Sequence, residues 1–194
     1  MKQLVFGITG TTGSGKTTIS KIFEQLGVKV IDADKVYHSL IEPGMPCVEE
    51  IAEHFGTGVL KEDGSLDRKA LAGIVFCDKE KLRILNKITH KYIRAEISGI
   101  IAQNPLCAID AAVLIGSEVA ELCQYIVTVT ADTEIRKRRI MERDLLSEEE
   151  ANQRIASQKS DSFYIENSDF VIYNNDNCNP TEDVKRILSA MRGE

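Results

Sequence analysis

The sequence predicts a three-layer α/β fold built on a mostly parallel sheet. Three observations point to it: five short apolar runs read as buried strands, helical patterns separate them, and the first run opens directly into a glycine-rich turn. Strands are expected at 4–9, 28–31, 106–109, 125–130 and 170–173. A helix over 17–26 follows the glycine turn and stops at Gly27, a natural C-cap position. Residues 133–144, rich in Arg, Lys and Glu, read as a solvated helix. The last helix, 181–191, is entered through Pro180 and carries Val184, Ile187, Leu188 and Met191 on one face. Strands alternating with helices leave both faces of a parallel sheet covered.

Two stretches break the alternation. Residues 35–105 hold little strand-like sequence; helices are expected at 49–54, 68–75 and 80–101, with turn signals at Pro43-Gly44 and Asp63-Gly64. This reads as a helical insertion on the sheet. Residues 144–166 are strongly polar, and Ser147-Glu148-Glu149-Glu150 opens a helix. That stretch reads as a solvated surface element or as a mobile lid. With 194 residues the chain suits one domain. Its core is expected over about 1–34, 106–139 and 167–194, the insertion over about 35–105 and a lid over about 140–166.

Composition narrows the function classes. Hydrophobic residues at 43% and charged residues at 28% describe an ordinary globular chain. A net charge of -6 argues against a nucleic-acid partner gripped through its phosphates. No apolar stretch approaches bilayer length, so no membrane partner is expected, and the run from Met1 to Gly7 lacks the apolar region of a signal peptide. The five cysteines are dispersed, with no CxxC pair, which points to reduced thiols and a cytoplasmic protein; Cys107 and Cys123 lie in apolar runs as small core residues. His38, His54 and His90 show no metal-ligand spacing.

The chemistry begins at Gly10-Thr11-Thr12-Gly13-Ser14-Gly15-Lys16-Thr17, which fits G-x-x-x-x-G-K-[ST] at every position, between a strand and a helix. Glycines let the backbone curl until successive N–H groups face phosphate oxygens, and the following helix adds its N-terminal dipole. Gly13, Ser14, Gly15, Lys16, Thr17 and Thr18 are thus the expected nucleotide cradle. Lys16 reaches the β- and γ-phosphates, and the Thr17 hydroxyl serves Mg2+ arriving with ATP. The fold is then P-loop NTPase-like. The motif alone leaves kinase, GTPase and motor open, although the Asn-Lys-x-Asp guanine signature is absent.

Val30-Ile31-Asp32-Ala33-Asp34 places two acids where the second strand ends, on the side of a parallel sheet where the loop also opens. Alternation along an extended chain sends Asp32 and Asp34 to one face. One carboxylate can take a proton from an attacking alcohol, and a second can hold Mg2+ through water. The competing reading makes Asp34 the N-cap of a helix beginning at Lys35.

At these residues the sequence resembles the dephospho-CoA kinase family. The run from Phe6 through Thr18, then Leu26-Gly27-Val28 and Ile31-Asp32-Ala33-Asp34, carries the resemblance. Further pieces follow in the family's order: Glu42-Pro43-Gly44, His54-Phe55-Gly56, Asp63 to Arg68, Thr89-His90, Arg139, Arg143-Asp144, Arg154-Ile155 with Gln158, and Asp169 to Asn175. The resemblance spans nearly the whole chain. It implies transfer of the ATP γ-phosphoryl to the ribose 3′-hydroxyl of dephospho-CoA, the last step of coenzyme A synthesis. It implies a helical acceptor-binding domain and a lid beside the nucleotide core. It makes Asp34 the catalytic base and puts Thr9, Asp32 and His90 on the acceptor side. Three departures stand out: Thr11-Thr12 replace the usual Gly-Ile, Lys91 replaces the proline after His90, and Ala112-Val113-Leu114-Ile115-Gly116 lacks the proline and glutamate of the usual P-L-L-[FI]-E run.

The remaining candidates are single residues. Arg139 and Arg143, four apart on a helix, share a face from which cations can stabilise transferring phosphate. The resemblance assigns them catalysis and nucleotide binding, whereas Arg136, Lys137 and Arg138 read as a solvated face paired with glutamates. Asp110 ends the third strand, as a Walker-B-like acid or as a cap. Asn174 and Asn175 follow the fifth strand, where a loop can approach adenine or simply turn. The expected partners are ATP and dephospho-CoA, with a monomer or small homo-oligomer acting. The alternatives are another P-loop small-molecule kinase, for a nucleoside, nucleotide or sugar, and a non-catalytic ATP-binding switch protein.

Overall fold

Five strands form one sheet in the computed structural model, which describes residues 3–194; Met1 and Lys2, the first positions of the expected core, lie outside the described residues. They are β1 (Leu4–Gly10), β2 (Lys29–Asp32), β3 (Leu106–Asp110), β4 (Tyr125–Thr130) and β5 (Phe170–Tyr173), in the order β2-β3-β1-β4-β5. The pairings of β1 with β3, β1 with β4 and β4 with β5 are parallel. The helices are α1 (Lys16–Gln25), α2 (Ala33–Leu40), α3 (Pro46–Phe55), α4 (Arg68–Val75), α5 (Lys79–Ala102), α6 (Thr133–Asp144), α7 (Glu148–Ala156), α8 (Asp161–Glu166) and α9 (Pro180–Arg192). The short α8, capped by Ser160, is an addition to the expected elements.

The chain divides into two compact units, one comprising residues up to 31 with 101–194, the other 32–100. In the first unit β1 is buried from Val5 to Gly10, as a central parallel strand must be. Phe6 and Ile8 of β1 pack with Val127 and Val129 of β4, Ile19 and Phe23 of α1, and Val184 and Ile187 of α9. The Phe6 and Phe23 rings meet at 5.0 Å with a 55° tilt. Each such fully buried side chain stabilises the unit by roughly 1.5–3 kcal/mol, so the strand that carries the phosphate loop is the most firmly anchored. Ser147 and Glu150 close the expected capping box at the start of α7. Of the two cysteines expected in the core, Cys107 is buried and Cys123 is half-buried, and desolvation pushes the Cys123 thiol up to about 12.

The second unit corrects two expectations about the paired acids. Helix α2 starts at Ala33, so the extended alternation stops at Asp32 and does not carry Asp34 to the same face. Asp32, not Asp34, is the N-cap: its carboxylate accepts from the Lys35 N–H at 3.0 Å. Asp34 is exposed in the first turn of α2, where the helix dipole favours a negative charge. Asp67 caps α4 by accepting from the Lys69 and Ala70 N–H groups, both at 3.0 Å.

Lys91 lies in the middle of the 24-residue α5. Its ammonium donates to Glu50 on α3, whose same oxygen accepts from the Tyr92 hydroxyl at 2.6 Å. The bond from Lys91, then that from Tyr92, holds the Glu50 carboxyl below the usual range. A lysine where the resemblance leads one to expect proline thus keeps the helix unbroken and ties it to α3. Lys91→Pro, which removes a backbone N–H inside a helix, is expected to lower unfolding free energy by about 3 kcal/mol. Lys91→Ala removes only an exposed ion pair and should leave the urea midpoint nearly unchanged. Equal shifts for the two substitutions would contradict a backbone origin.

Candidate active site

The phosphate loop connects β1 to α1, and its shape is set by what it packs on. Gly13 has φ 77°, and a Cβ there would stand 2.6 Å from the Arg136 carbonyl oxygen, so the loop backbone lies directly on α6. Gly15 is the residue before α1, which begins at Lys16. The first N–H groups of a helix have no partner within it and are free to face an anion. The Thr17 and Thr18 side chains are exposed at that opening.

Asp110 is the acid of this site. The parallel register sets it beside Ile8, two residues before the loop, at the carboxyl end of β3. Its Oδ1 accepts from Lys16 Nζ, and its Oδ2 accepts from the Ser20 hydroxyl at 2.7 Å. Of the two readings open for Asp110, the structure favours the Walker-B-like one, since these bonds go to side chains of α1. Ser20 was not singled out, although its spacing of four from Lys16 puts both on one helix face.

The other wall comes from α6 and the loop after β5. Asn174 is buried, and its Nδ2 donates to the Ser14 carbonyl at 2.8 Å. Arg139 Nη1 donates to the Asn174 carbonyl at 3.0 Å, and Nη2 to Asp176 at 2.9 Å. Asp176 also takes Arg138, and the two guanidiniums, Arg138 first, hold its carboxyl below the usual range. Asn175 points elsewhere: its Oδ1 accepts from the Asp132 N–H at 2.9 Å, just before α6. The asparagine that touches the loop is therefore Asn174.

Arg136 needs correcting. It is 2% exposed, not solvated: Nη1 pairs with Asp161 at 2.6 and 2.9 Å, and Nε donates to the Thr12 carbonyl at 3.0 Å. Lys137 does pair with Glu134 and Glu148 as a surface residue would, and Arg138 is exposed. Arg143 is exposed and lies on Asp144, donating from Nε and Nη2 at 2.8 Å each, while Arg154 bonds the same carboxylate. Those two arginines, Arg143 first, keep Asp144 below the ordinary carboxyl range. Thr9 is fully buried and its hydroxyl donates to the Ala112 carbonyl at 3.3 Å, so it braces the turn after β3. Asp32, Asp34 and half-buried His90 belong to the second unit.

Comparison with known proteins decides the family. The dephospho-CoA kinase family model matches residues 4–180. The chain belongs to the dephospho-CoA kinase family. A dephospho-CoA kinase from Aquifex aeolicus is 37% identical over 195 residues, covering 98% of each chain. One from Halalkalibacterium halodurans is 35% identical over 190 residues, covering 95% of this chain and 93% of that one. The solved dephospho-CoA kinase from Campylobacter jejuni superposes with a TM-score of 0.66 at 29% identity, covering 97% of this chain and 98% of that one. The chain is accordingly a P-loop kinase, with the five-stranded parallel sheet of that fold.

Set within the family, the Ala112 to Gly116 departure has a backbone explanation. Gly116 has φ 81°, where a glutamate would be strained by roughly 1–2 kcal/mol. The Ser117 hydroxyl donates to the Leu114 carbonyl at 2.6 Å and closes the turn around it. In this chain the run therefore forms a turn whose fifth position favours glycine. For the loop wall, Arg136→Ala strands Asp161 and the Thr12 carbonyl and is expected to cost about 3 kcal/mol of stability. Arg138→Ala should change the denaturation midpoint little. A small effect at Arg136 would restore the solvated-face reading.

Proposed function

We propose that the chain transfers the γ-phosphoryl of ATP to the ribose 3′-hydroxyl of dephospho-CoA, completing coenzyme A. The observation that carries the nucleotide half is the Lys16–Asp110–Ser20 arrangement beside the glycine loop, because it gathers an ammonium, a carboxylate and a hydroxyl where triphosphate oxygens would lie. Backbone N–H groups from Gly13 to Thr18 bind the phosphates, and Lys16 exchanges Asp110 for β- and γ-oxygens. The hard oxygen donors of Thr17 and Asp110 fit Mg2+, and Mg2+ bound with ATP would supply neutralisation of phosphate charge. Arg139 and Arg143 add positive charge, Arg143 after leaving Asp144. Asn175 would contribute to nucleotide binding once its carboxamide turns from the Asp132 N–H.

Family membership supports the acceptor half. Asp34 is the general base: as the 3′-oxygen forms its bond to γ-phosphorus, the bond from γ-phosphorus to the bridging oxygen breaks, ADP leaves, and the hydroxyl proton passes to Asp34. An uncommitted carboxylate suits that role, and Asp32, occupied by capping Lys35, holds the start of α2 beneath it. His90 contributes to the acceptor side, and Thr9 acts through the turn it braces. Residues 140–166 act as a lid whose closure keeps water from the γ-phosphate. We place the reaction in the cytoplasm, with a monomer or small homo-oligomer as the active form; no helix among the described residues is long and apolar enough to cross a membrane.

Release of ADP should depend on dephospho-CoA and stay near background with nucleosides, nucleotides or sugars as acceptors. Preference for one of those would redirect the assignment to another small-molecule kinase. Asp34→Asn should lower kcat by about 10²–10⁴ while leaving the KM for ATP within about twofold. Parallel losses in both parameters would remove Asp34 from the base role.

A further inference from the structure

Thr12, inside the phosphate loop, has both of its backbone polar groups held by side chains from far along the chain. Its N–H donates to Gln158 Oε1 at 2.7 Å, and its carbonyl accepts from Arg136 Nε at 3.0 Å. Arg136 is in turn fixed by Asp161, three residues after Gln158. Both contacts are to backbone, so they are indifferent to the replacement of the family's usual isoleucine by threonine here.

The geometry of the peptide bond gives these contacts a consequence. A trans peptide is planar, and its C=O and N–H point in opposite directions. Fixing the Thr12 carbonyl toward Arg136 therefore aims the Gly13 N–H the other way, and Gly13 has a left-handed φ of 77° at which glycine turns easily. Fixing the Thr12 N–H toward Gln158 locks the preceding peptide plane. The same device recurs at Ser14, whose carbonyl is held by Asn174 at 2.8 Å. Within the loop one backbone bond forms, from the Ser14 N–H to the Thr11 carbonyl at 3.2 Å, while the Thr11 and Ser14 hydroxyls are buried without a hydrogen-bond partner among the described residues. External clasps at Thr12 and Ser14 add to that single internal bond in fixing the backbone.

We propose that Gln158 is a positioning residue for ATP: with the Arg136–Asp161 pair it clasps Thr12 and keeps the loop's N–H groups aimed at the phosphate site before nucleotide arrives. The proposal rests on the reading that ATP occupies this loop. Releasing one clasp lets the loop sample shapes that do not bind, and apparent affinity falls by the fraction that remains competent. Once saturated, the loop is held by phosphate itself, so the effect falls on affinity and not on turnover.

Gln158→Met keeps the side-chain length but lacks the amide oxygen that accepts the bond. It should raise the KM for ATP and the calorimetric Kd for ADP about tenfold, the upper end of what one half-buried hydrogen bond contributes. The KM for dephospho-CoA and kcat at saturating ATP should stay within about twofold. An unchanged affinity for ADP, or proportional losses in kcat and both KM values, would overturn the proposal. A second measurement does not depend on the variant folding. In nucleotide-free wild-type protein the partly exposed Thr12 amide should be protected from hydrogen exchange; exchange at the rate of an open loop would overturn the clasp. Failure of wild-type protein to bind ADP at all would overturn the nucleotide reading and the proposal together, a result distinct from either of these.

Discussion

A phosphate cradle made of backbone N–H groups has to keep its shape when no phosphate is there, although a glycine-rich turn provides little rigidity of its own. Here one bond inside the turn, from the Ser14 N–H to the Thr11 carbonyl, is joined by anchors from outside it. Lys16 at the loop's end is held by Asp110 of β3, the Ser14 carbonyl by Asn174 after β5, and the Thr12 carbonyl by Arg136 of α6. Those three anchors sit at the carboxyl ends of the strands or on the helix that follows them, which is where a parallel sheet collects its functional groups. The apolar packing of Phe6, Ile8, Val127 and Val129 keeps those strand ends in register. Core and site are thus parts of one construction.

Charge is arranged along the same lines. Positive side chains around the loop all have carboxylate partners without nucleotide: Lys16 on Asp110, Arg136 on Asp161, Arg139 on Asp176 and Arg143 on Asp144. Arg136 is 2% exposed and also holds backbone, which makes it structural. Arg143 and Arg139 are more open, and a surface ion pair contributes little in water. Such pairs cost little to give up, whereas Arg136, buried beneath a half-exposed Asp161 and bonded to backbone, is fixed. Similar-looking arginines on one helix therefore differ: Arg136 is a buried brace, while Arg139 and Arg143 hold more open ion pairs.

Much of this was legible in the sequence because it followed local rules. The five strands are short apolar runs with a clear period, and the Ser147 capping box and the Pro180 entry to α9 are local signals that the structure reproduces. The cradle was equally plain, since a motif fixes backbone geometry within eight residues. What escaped depends on contacts distant along the chain. Arg136 reads as a solvated arginine until Asp161 and Thr12 are seen around it, and α8, which carries Asp161, has no strong pattern of its own. The helix cap fell to Asp32 and not to Asp34 because α2 begins at Ala33, directly after the strand ends and sooner than alternation suggested. Asn174 and Asn175 are alike in sequence, and only tertiary structure shows that Asn174 meets the loop while Asn175 takes the Asp132 N–H.

The central claim is that this cradle presents a γ-phosphoryl group to the ribose of dephospho-CoA. Product analysis tests it most directly. Purified protein would be incubated with Mg2+, ATP and dephospho-CoA, and the products resolved by phosphorus NMR and mass spectrometry. The account predicts one new phosphomonoester, on the ribose 3′-oxygen, formed in step with ADP. ADP accompanied by free phosphate and unaltered dephospho-CoA, or a phosphate at another position, would contradict it.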